Sequence, residues 1–196
     1  MALDQAEVPK KTVSIDSSDY LIRTLTPDDA SERWAAWMAD PEVAYMLNVK
    51  PRGMTRSEIA AYIKTFDQRS NLLWGIFAKR TGQHIGFFTV NADFAHKQGI
   101  VNLLIGEREF RNHGVLSTIR AQFAEYFFEA LGLKTMMATA LARNEIIINT
   151  LLKGGWKIDK RLKSHVTGHA DGAKLDLCLL SLSRDAWRER NRLRTL

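Results

Sequence analysis

The apolar pattern of this chain changes period once, between residues 100 and 131, and that change governs the rest of the reading. Residues 100–106 form a short apolar run of strand length. From Val115 onward, apolar side chains return at Val115, Ile119, Phe123, Tyr126, Phe127 and Leu131, mostly in steps of three and four that place them on one helical face. Gly132 follows as a C-terminal cap, and residues 134–141 read as another strand. A strand, a long helix and a second strand form a crossover, which sets two parallel strands in one sheet.

Upstream, residues 20–25 alternate as a strand. Thr26 and Pro27 supply a helix start, and that helix runs to about Ala39, where Asp40-Pro41 ends it. A second helix begins at Thr55 and carries Ile59, Tyr62, Ile63 and Phe66 on one face, and residues 42–54, with Pro51 and Gly53, read as a loop. Strands at 72–79 and 84–91 precede the run at 100–106, with turns at Thr81-Gly82 and around Gly99. Downstream come a helix over 144–153 ended by Gly154-Gly155, strands over 156–163 and 173–183, and an arginine-rich last helix. Residues 1–18 are polar and patternless, so a flexible arm is expected there and a single domain over 19–196. The order β-α-α-β-β-β-α-β-α-β-β-α predicts a mixed α/β (α+β) fold, with a mostly antiparallel sheet of six to seven strands and helices on both faces.

Composition narrows the partners. Cys178 is the one cysteine, so no intrachain disulfide can form, and its apolar neighbours make it a buried strand residue. No apolar run reaches the roughly 18 residues that span a bilayer, and Asp4, Glu7, Lys10 and Lys11 interrupt any secretory signal, so a cytoplasmic protein is expected. The net charge of +6 favours anionic partners. Arg184, Arg188, Arg190, Arg192 and Arg194 crowd the C-terminus and read first as a solvated helix face, with contact to nucleic acid or the ribosome as the lesser reading. His165, His169 and Asp171 share a polar loop without helical spacing, so no metal site is read there.

Chemistry concentrates at the turn Arg111-Asn112-His113-Gly114-Val115-Leu116, between a strand and the longest helix. A helix N-terminus offers unpaired N–H groups and the positive end of the macrodipole, and a glycine lets the backbone approach a phosphate closely. The turn is neither a Walker A loop nor a G-x-G-x-x-G fingerprint.

Arg111-x-x-Gly114-x-Leu116 resembles the Q/R-x-x-G-x-G/A acyl-CoA loop of the GNAT acetyltransferases. Ala142-Arg143-Asn144 followed by Lys153-Gly154-Gly155-Trp156 resembles a second block of that family, N-x-x-S…E-K-x-G-F. Residues 21–30 and the stretch Ser183-Arg184-Asp185-Ala186-Trp187 are similar to the RimJ/RimL branch. The resemblance implies an N-acyltransferase that moves an acetyl or other acyl group from coenzyme A to a primary amine. It implies that the backbone of Leu103, Leu104, Ile105 and Gly106 pairs with the pantetheine arm. The pyrophosphate would sit on Arg111, Asn112, His113, Gly114, Val115, Leu116 and Ser117, and Asn144 would reach the thioester side, although a helix N-cap explains Asn144 equally well. A homodimer is compatible with this reading. A non-catalytic acyl-CoA-binding protein of the same fold is the alternative.

Departures from the family pattern bear on chemistry. The last loop position is Leu116 in place of Gly or Ala, and Ile147 and Leu151 stand where relatives carry a Ser or Tyr that protonates the leaving thiolate. No catalytic residue is assigned, and Glu107, Asn149 and Thr150 are the nearest candidates. Trp34, Trp37 and Tyr45 are candidates for an acceptor wall, with residues 40–54 and the loop 164–172 around them. The strand position where some relatives hold a glutamate base is Gly99.

Overall fold

The computed structural model describes residues 12–192. One eight-stranded sheet has the order β1-β2-β3-β4-β5-β6-β8-β7, from β1 (Ser14–Asp16), β2 (Tyr20–Thr24), β3 (Asn71–Ala78), β4 (Gln83–Asp93), β5 (Gln98–Ile105), β6 (Thr135–Leu141), β7 (Lys157–Thr167) and β8 (Lys174–Ser183). Every neighbouring pair is antiparallel except β5 and β6, the pair that the crossover predicts. Among the described residues, six α-helices flank the sheet: α1 (Glu32–Ala39), α2 (Pro41–Leu47), α3 (Arg56–Lys64), α4 (Val115–Glu125), α5 (Glu145–Lys153) and α6 (Arg184–Arg192).

Several local features depart from the sequence reading. Thr26 and Pro27 open only a 3-10 turn, and α1 starts after Ser31, which caps it; Gly99 lies within β5 and not in a turn. Residues 12–18 are not a loose arm. Ser14–Asp16 pair with β2, and Val13 and Ile15 alternate inward onto the core. The remainder of the expected arm, residues 1–11, lies outside the described residues, as does Arg194. The eighth strand is this short β1, which three residues could not announce by periodicity. The segment read as a loop after Ala39 begins with α2: Asp40 ends α1, and its carboxylate then caps the next helix by accepting from the Glu42 amide at 2.9 Å, with Pro41 at the first helical position. β7 runs on to Thr167 through a register irregularity after Leu162, so the loop read over 164–172 begins later.

Helices cover both faces. Leu72, Trp74, Ile76, Phe88 and Val90 of β3 and β4 pack under Ile119, Phe123 and Phe127 of the α4 segment, which continues through a π turn at Tyr126–Ala130. The opposite face holds Leu25 and Leu73 against Trp34, Trp37, Ile59 and Ile63 from α1 and α3. Each large side chain buried this way stabilises the fold by roughly 1.5–3 kcal/mol. Cys178 is fully buried on β8.

His84 sits inside the second layer. Phe77 stacks on its ring at 4.8 Å, and Trp37 and Trp34 meet it edge-on at 5.0 and 5.6 Å. Burial drives its pKa from 6.5 down to about 4, against the nearby carboxylates of Asp29 and Glu107, while Arg23 pushes the same way as burial. The unfolded chain therefore binds a proton that the folded chain rejects. Stability that is full above pH 6.5 falls as the pH drops through that value towards 4. At pH 5 the loss is about 2 kcal/mol, or roughly 4–8 °C in midpoint for a domain of this size. Melting curves at pH 7 and pH 5 check this, and His84→Phe should remove that part of the pH dependence.

Candidate active site

The site follows from how β5 and β6 part. Their register runs from Gln98↔Thr135 only as far as Ile100↔Met137. Beyond that point β5 stays paired with β4 to Ile105, and β6 stays paired with β8 to Leu141. Two strand edges thus face each other across an open V in the middle of the sheet. Backbone groups on such edges need partners, and here no strand supplies them.

α4 starts where β5 ends. Its first intrahelical bond runs from the Thr118 amide to the Gly114 carbonyl at 3.0 Å, which leaves the amides of Val115, Leu116 and Ser117 without acceptors in the helix. Asn112 and Gly114 both take positive φ, 62° and 76°, and so curl the backbone ahead of these amides. A Cβ at Gly114 would meet nothing within 4 Å, so glycine serves the left-handed backbone there and not a tight contact. The arrangement can bind an anion.

Between α4, α5 and the V lies a pocket of about 360 Å³, of ordinary size for a small-molecule site. Leu103, Leu116 and Arg120 form one wall, and Asn144, Ile147, Thr150 and Leu151 of the α5 segment form the other. At the far side of the V, Met46, Leu47 and Asn48 meet Val166 and Leu177 of the β7–β8 hairpin. Asn48 fixes this rim: its side chain donates to the Thr167 carbonyl and accepts from the His169 amide, both at 2.9 Å. Arg143 lies over the Tyr45 ring, 3.7 Å from its centroid, and donates to the Tyr45 carbonyl.

The acetyltransferase (GNAT) domain family matches residues 20–157. The chain belongs to the GNAT acetyltransferase family. Members use acetyl-CoA as co-substrate, and this GNAT chain is an acyl-CoA-dependent N-acetyltransferase. Solved structures share the fold. Spermidine N-acetyltransferase from Vibrio cholerae, in complex with CoA and spermine, superposes with a TM-score of 0.76 at 13% identity, over 87% of this chain and 98% of the other. Ribosomal-protein-S5-alanine acetyltransferase from Vibrio fischeri gives 0.72 at 19%, over 89% and 98%. An acetyltransferase of the family from Bacillus anthracis gives 0.74 at 14%, over 88% and 99%. A comparison with curated protein sequences finds no match.

The GNAT scaffold places the sequence candidates unevenly. Leu103, Leu116 and Asn144 line the pocket, and Leu116 also packs against the main core, which explains why a large side chain is tolerated in the loop. Asn144 caps α5, accepting from the Ile147 amide at 3.4 Å. His113 is exposed. The Arg111 guanidinium is not in the pocket lining. It is nearly buried, ion-paired with Asp40 at 2.7 Å and Glu42 at 2.9 Å, and it donates to the carbonyls of Ile105 and Gly106. Burial pushes the Asp40 carboxyl up, but bonds from Arg111 and the Glu42 amide outweigh it and hold the pKa below the usual value.

Glu107 is likewise committed, accepting from the Trp37 indole at 2.8 Å and pairing with Arg33 at 3.2 Å, outside the pocket lining. Trp37 presses so closely on the end of β5 that a Cβ at Gly106 would fall 2.0 Å from its ring. Trp34 and Trp37 are therefore core, not acceptor wall, whereas Tyr45 is exposed beside the rim. Asn149 is exposed and away from the pocket, and the Thr150 hydroxyl, within it, donates to the Ile146 carbonyl at 2.8 Å. Gly99 faces the core, where an added Cβ would lie 3.0 Å from Phe127, so the position leaves no room for a carboxylate base.

The arginine-rich end is built into the domain: Arg188 pairs with Glu129 at 2.9 Å and Arg190 donates to the Lys153 carbonyl. Met46, Leu47 and Asn48 fall within the wall expected over residues 40–54, and Val166 within the loop expected over 164–172, whereas sequence reasoning missed Arg120, Trp156 and Trp187 in the lining. No helix among the described residues is long and apolar enough to cross a membrane.

Proposed function

We propose that the chain transfers an acyl group from coenzyme A to a primary amine of low pKa by direct attack, as a RimJ/RimL-like member of its family. The observation that carries this reading is the open V between β5 and β6, ending at the free amides of α4. The residues suit the co-substrate. The turn over residues 112–117, with the free amides of Val115, Leu116 and Ser117, offers a seat for the pyrophosphate, and the edge of Leu103, Leu104, Ile105 and Gly106 offers hydrogen bonds to the amide-bearing pantetheine arm. Asn144 stands at the thioester side. The branch assignment rests on residues 21–30, which form β2 and the capped turn before α1, and on Ser183 to Trp187, which open α6.

The amine nitrogen forms the new C–N bond as the C–S bond breaks. Charge developing on the carbonyl oxygen meets a backbone N–H of the β5 edge. The departing sulfur keeps the electron pair and takes up the proton that the nitrogen sheds. Ile147 and Leu151 face the pocket without a proton to give. A thiol of pKa about 8.5 leaves as thiolate at pH 7 at a cost of only about 2 kcal/mol, so a donor accelerates the step without being indispensable.

The missing base selects the acceptor. Deprotonation at pH 7 costs about 1.4 kcal/mol for an α-amino group of pKa near 8, against about 4.6 kcal/mol for a lysine near 10.4. A protein N-terminus, an amino sugar or a small amino compound therefore fits best. Two fold neighbours carry a ribosomal-protein alanine and spermidine in their names. Thermal unfolding with coenzyme A or acetyl-CoA at 100 times its Kd should gain about 2.7 kcal/mol, or roughly 5–10 °C. No shift with either ligand would overturn the proposal. With a shift in hand, thiol release across an amine panel should favour amines of low pKa.

A further inference from the structure

The pocket is deeper than an acetyl donor needs. It does not end where β5 and β6 part. It continues towards their hydrogen-bonded portion, lined by Val101, Met136 and Leu182, with Trp187, Arg190 and Asn191 of α6 also in the lining. Met136 pairs with Gly99 on one side and with Leu182 on the other, so the sheet is closed at that level. From Leu103 back to the level of Gly99 is four residues, roughly 13 Å of strand. α4 runs back over β5, and Phe123 and Ala124, two turns beyond its start, form the roof of the deep part.

We propose that this deep arm holds the hydrocarbon tail of a straight-chain acyl donor of medium length, between about butyryl and octanoyl, beyond the single methyl of acetyl-CoA. The inference rests on the coenzyme A reading above. A thioester at the opening of the V, reached by a pantetheine arm coming from the α4 N-terminus, points its acyl group away from that terminus and into the arm. The walls suit a tail: Val101, Phe123, Met136 and Leu182 are buried and carry no polar side-chain atom except the thioether sulfur. Trp187, 5.4 Å from the Phe128 ring, lines the pocket on the α6 side, so α6 limits the room for a longer chain. The polar residues of the lining include Arg120, Arg190 and Asn191 on α4 and α6, and Asn102, Thr139 and Thr150 on β5, β6 and α5. The reaction is unchanged: the longer acyl carbon exchanges its C–S bond for a C–N bond, and the thiol leaves with the proton.

Calorimetric titration of the full chain with coenzyme A and with acetyl-, butyryl-, hexanoyl- and octanoyl-CoA tests this without needing the acceptor. Affinity should rise about fourfold per buried methylene until the arm is filled. Ala138 lines the pocket on β6, beside Met136 and Ala140 on the same face, and Ala138→Phe should flatten the series at the level of acetyl-CoA. Trp187→Ala should move the plateau to longer chains. Melting curves establish that each variant is folded, and Ala124→Leu replaces Ala138→Phe if that variant is not. Equal affinity for acetyl- and octanoyl-CoA would overturn the inference alone, as would a length dependence that survives both pocket-filling variants. Failure of coenzyme A itself to bind would remove the proposed function and this inference together.

Discussion

Gly114→Trp is expected to lose coenzyme A binding by at least about 100-fold while remaining folded. Two physical effects separate at this position. The left-handed backbone, φ 76°, costs any L-residue roughly 1–2 kcal/mol, which lowers the melting midpoint by a few degrees. Space costs nothing, because a Cβ there meets no atom within 4 Å. The indole, however, occupies the approach to the free amides of Val115, Leu116 and Ser117. Losing two charge-assisted hydrogen bonds of about 1.5–3 kcal/mol each accounts for a 100-fold effect or more. Gly114→Ala carries the same backbone strain without the indole, and its affinity should stay within a few-fold of the natural chain. Titration of both variants with coenzyme A reads the difference. Wild-type affinity in the tryptophan variant would mean that the phosphates bind elsewhere.

The loop was legible in sequence because its signal is local: a strand, a glycine and a helix in consecutive order. The parallel neighbour of β5 was legible for a similar reason, since the helical period between two strand-length runs leaves a crossover as the only short connection. What escaped were features whose meaning depends on distant partners or on very short elements. Asp40-Pro41 reads as a stop signal, and it is one, since α1 ends there. The same dipeptide is also an N-cap followed by proline, the start signal of α2, and only the next turn of residues decides between the two. Residues 40–54 read as an acceptor wall, and α2 is the element that brings Met46 and Leu47 of that stretch, with Asn48, to the pocket rim. Trp187 reads as part of a terminal motif, but its place in the pocket lining depends on α6 docking against Phe128, 59 residues earlier in the chain.

The chemistry of the site shows the same division. Ile147 and Leu151, singled out as positions without a proton donor, do face the pocket, so the helix register inferred from Asn144 is the one observed. Glu107 could not be judged from sequence. Its carboxylate meets Trp37 and Arg33, residues some seventy positions away, and stands outside the pocket lining.

Arg111 separates the sequence reading from the structure most sharply, and Arg111→Met should cost about 2–3 kcal/mol of stability, roughly 4–12 °C in midpoint, with coenzyme A affinity per folded molecule changed little. If the guanidinium were a phosphate ligand, as the motif implies, the opposite split would follow: a stable protein with weakened binding. In the structure its charge is answered by Asp40 and Glu42, and its remaining donors hold the carbonyls at the end of β5. Removing it leaves the carboxylate of Asp40, which caps α2 and is three-quarters buried, without its cation. That deficit falls at the joint between α1, α2 and the splayed strand, so Arg111 braces the slot from behind. The partial exposure of Glu42 limits the loss, which is why the figure stays below that of a fully buried pair. Urea melts and titrations on the same preparation read both quantities. A variant as stable as the natural chain but tenfold weaker for coenzyme A would return Arg111 to the phosphate.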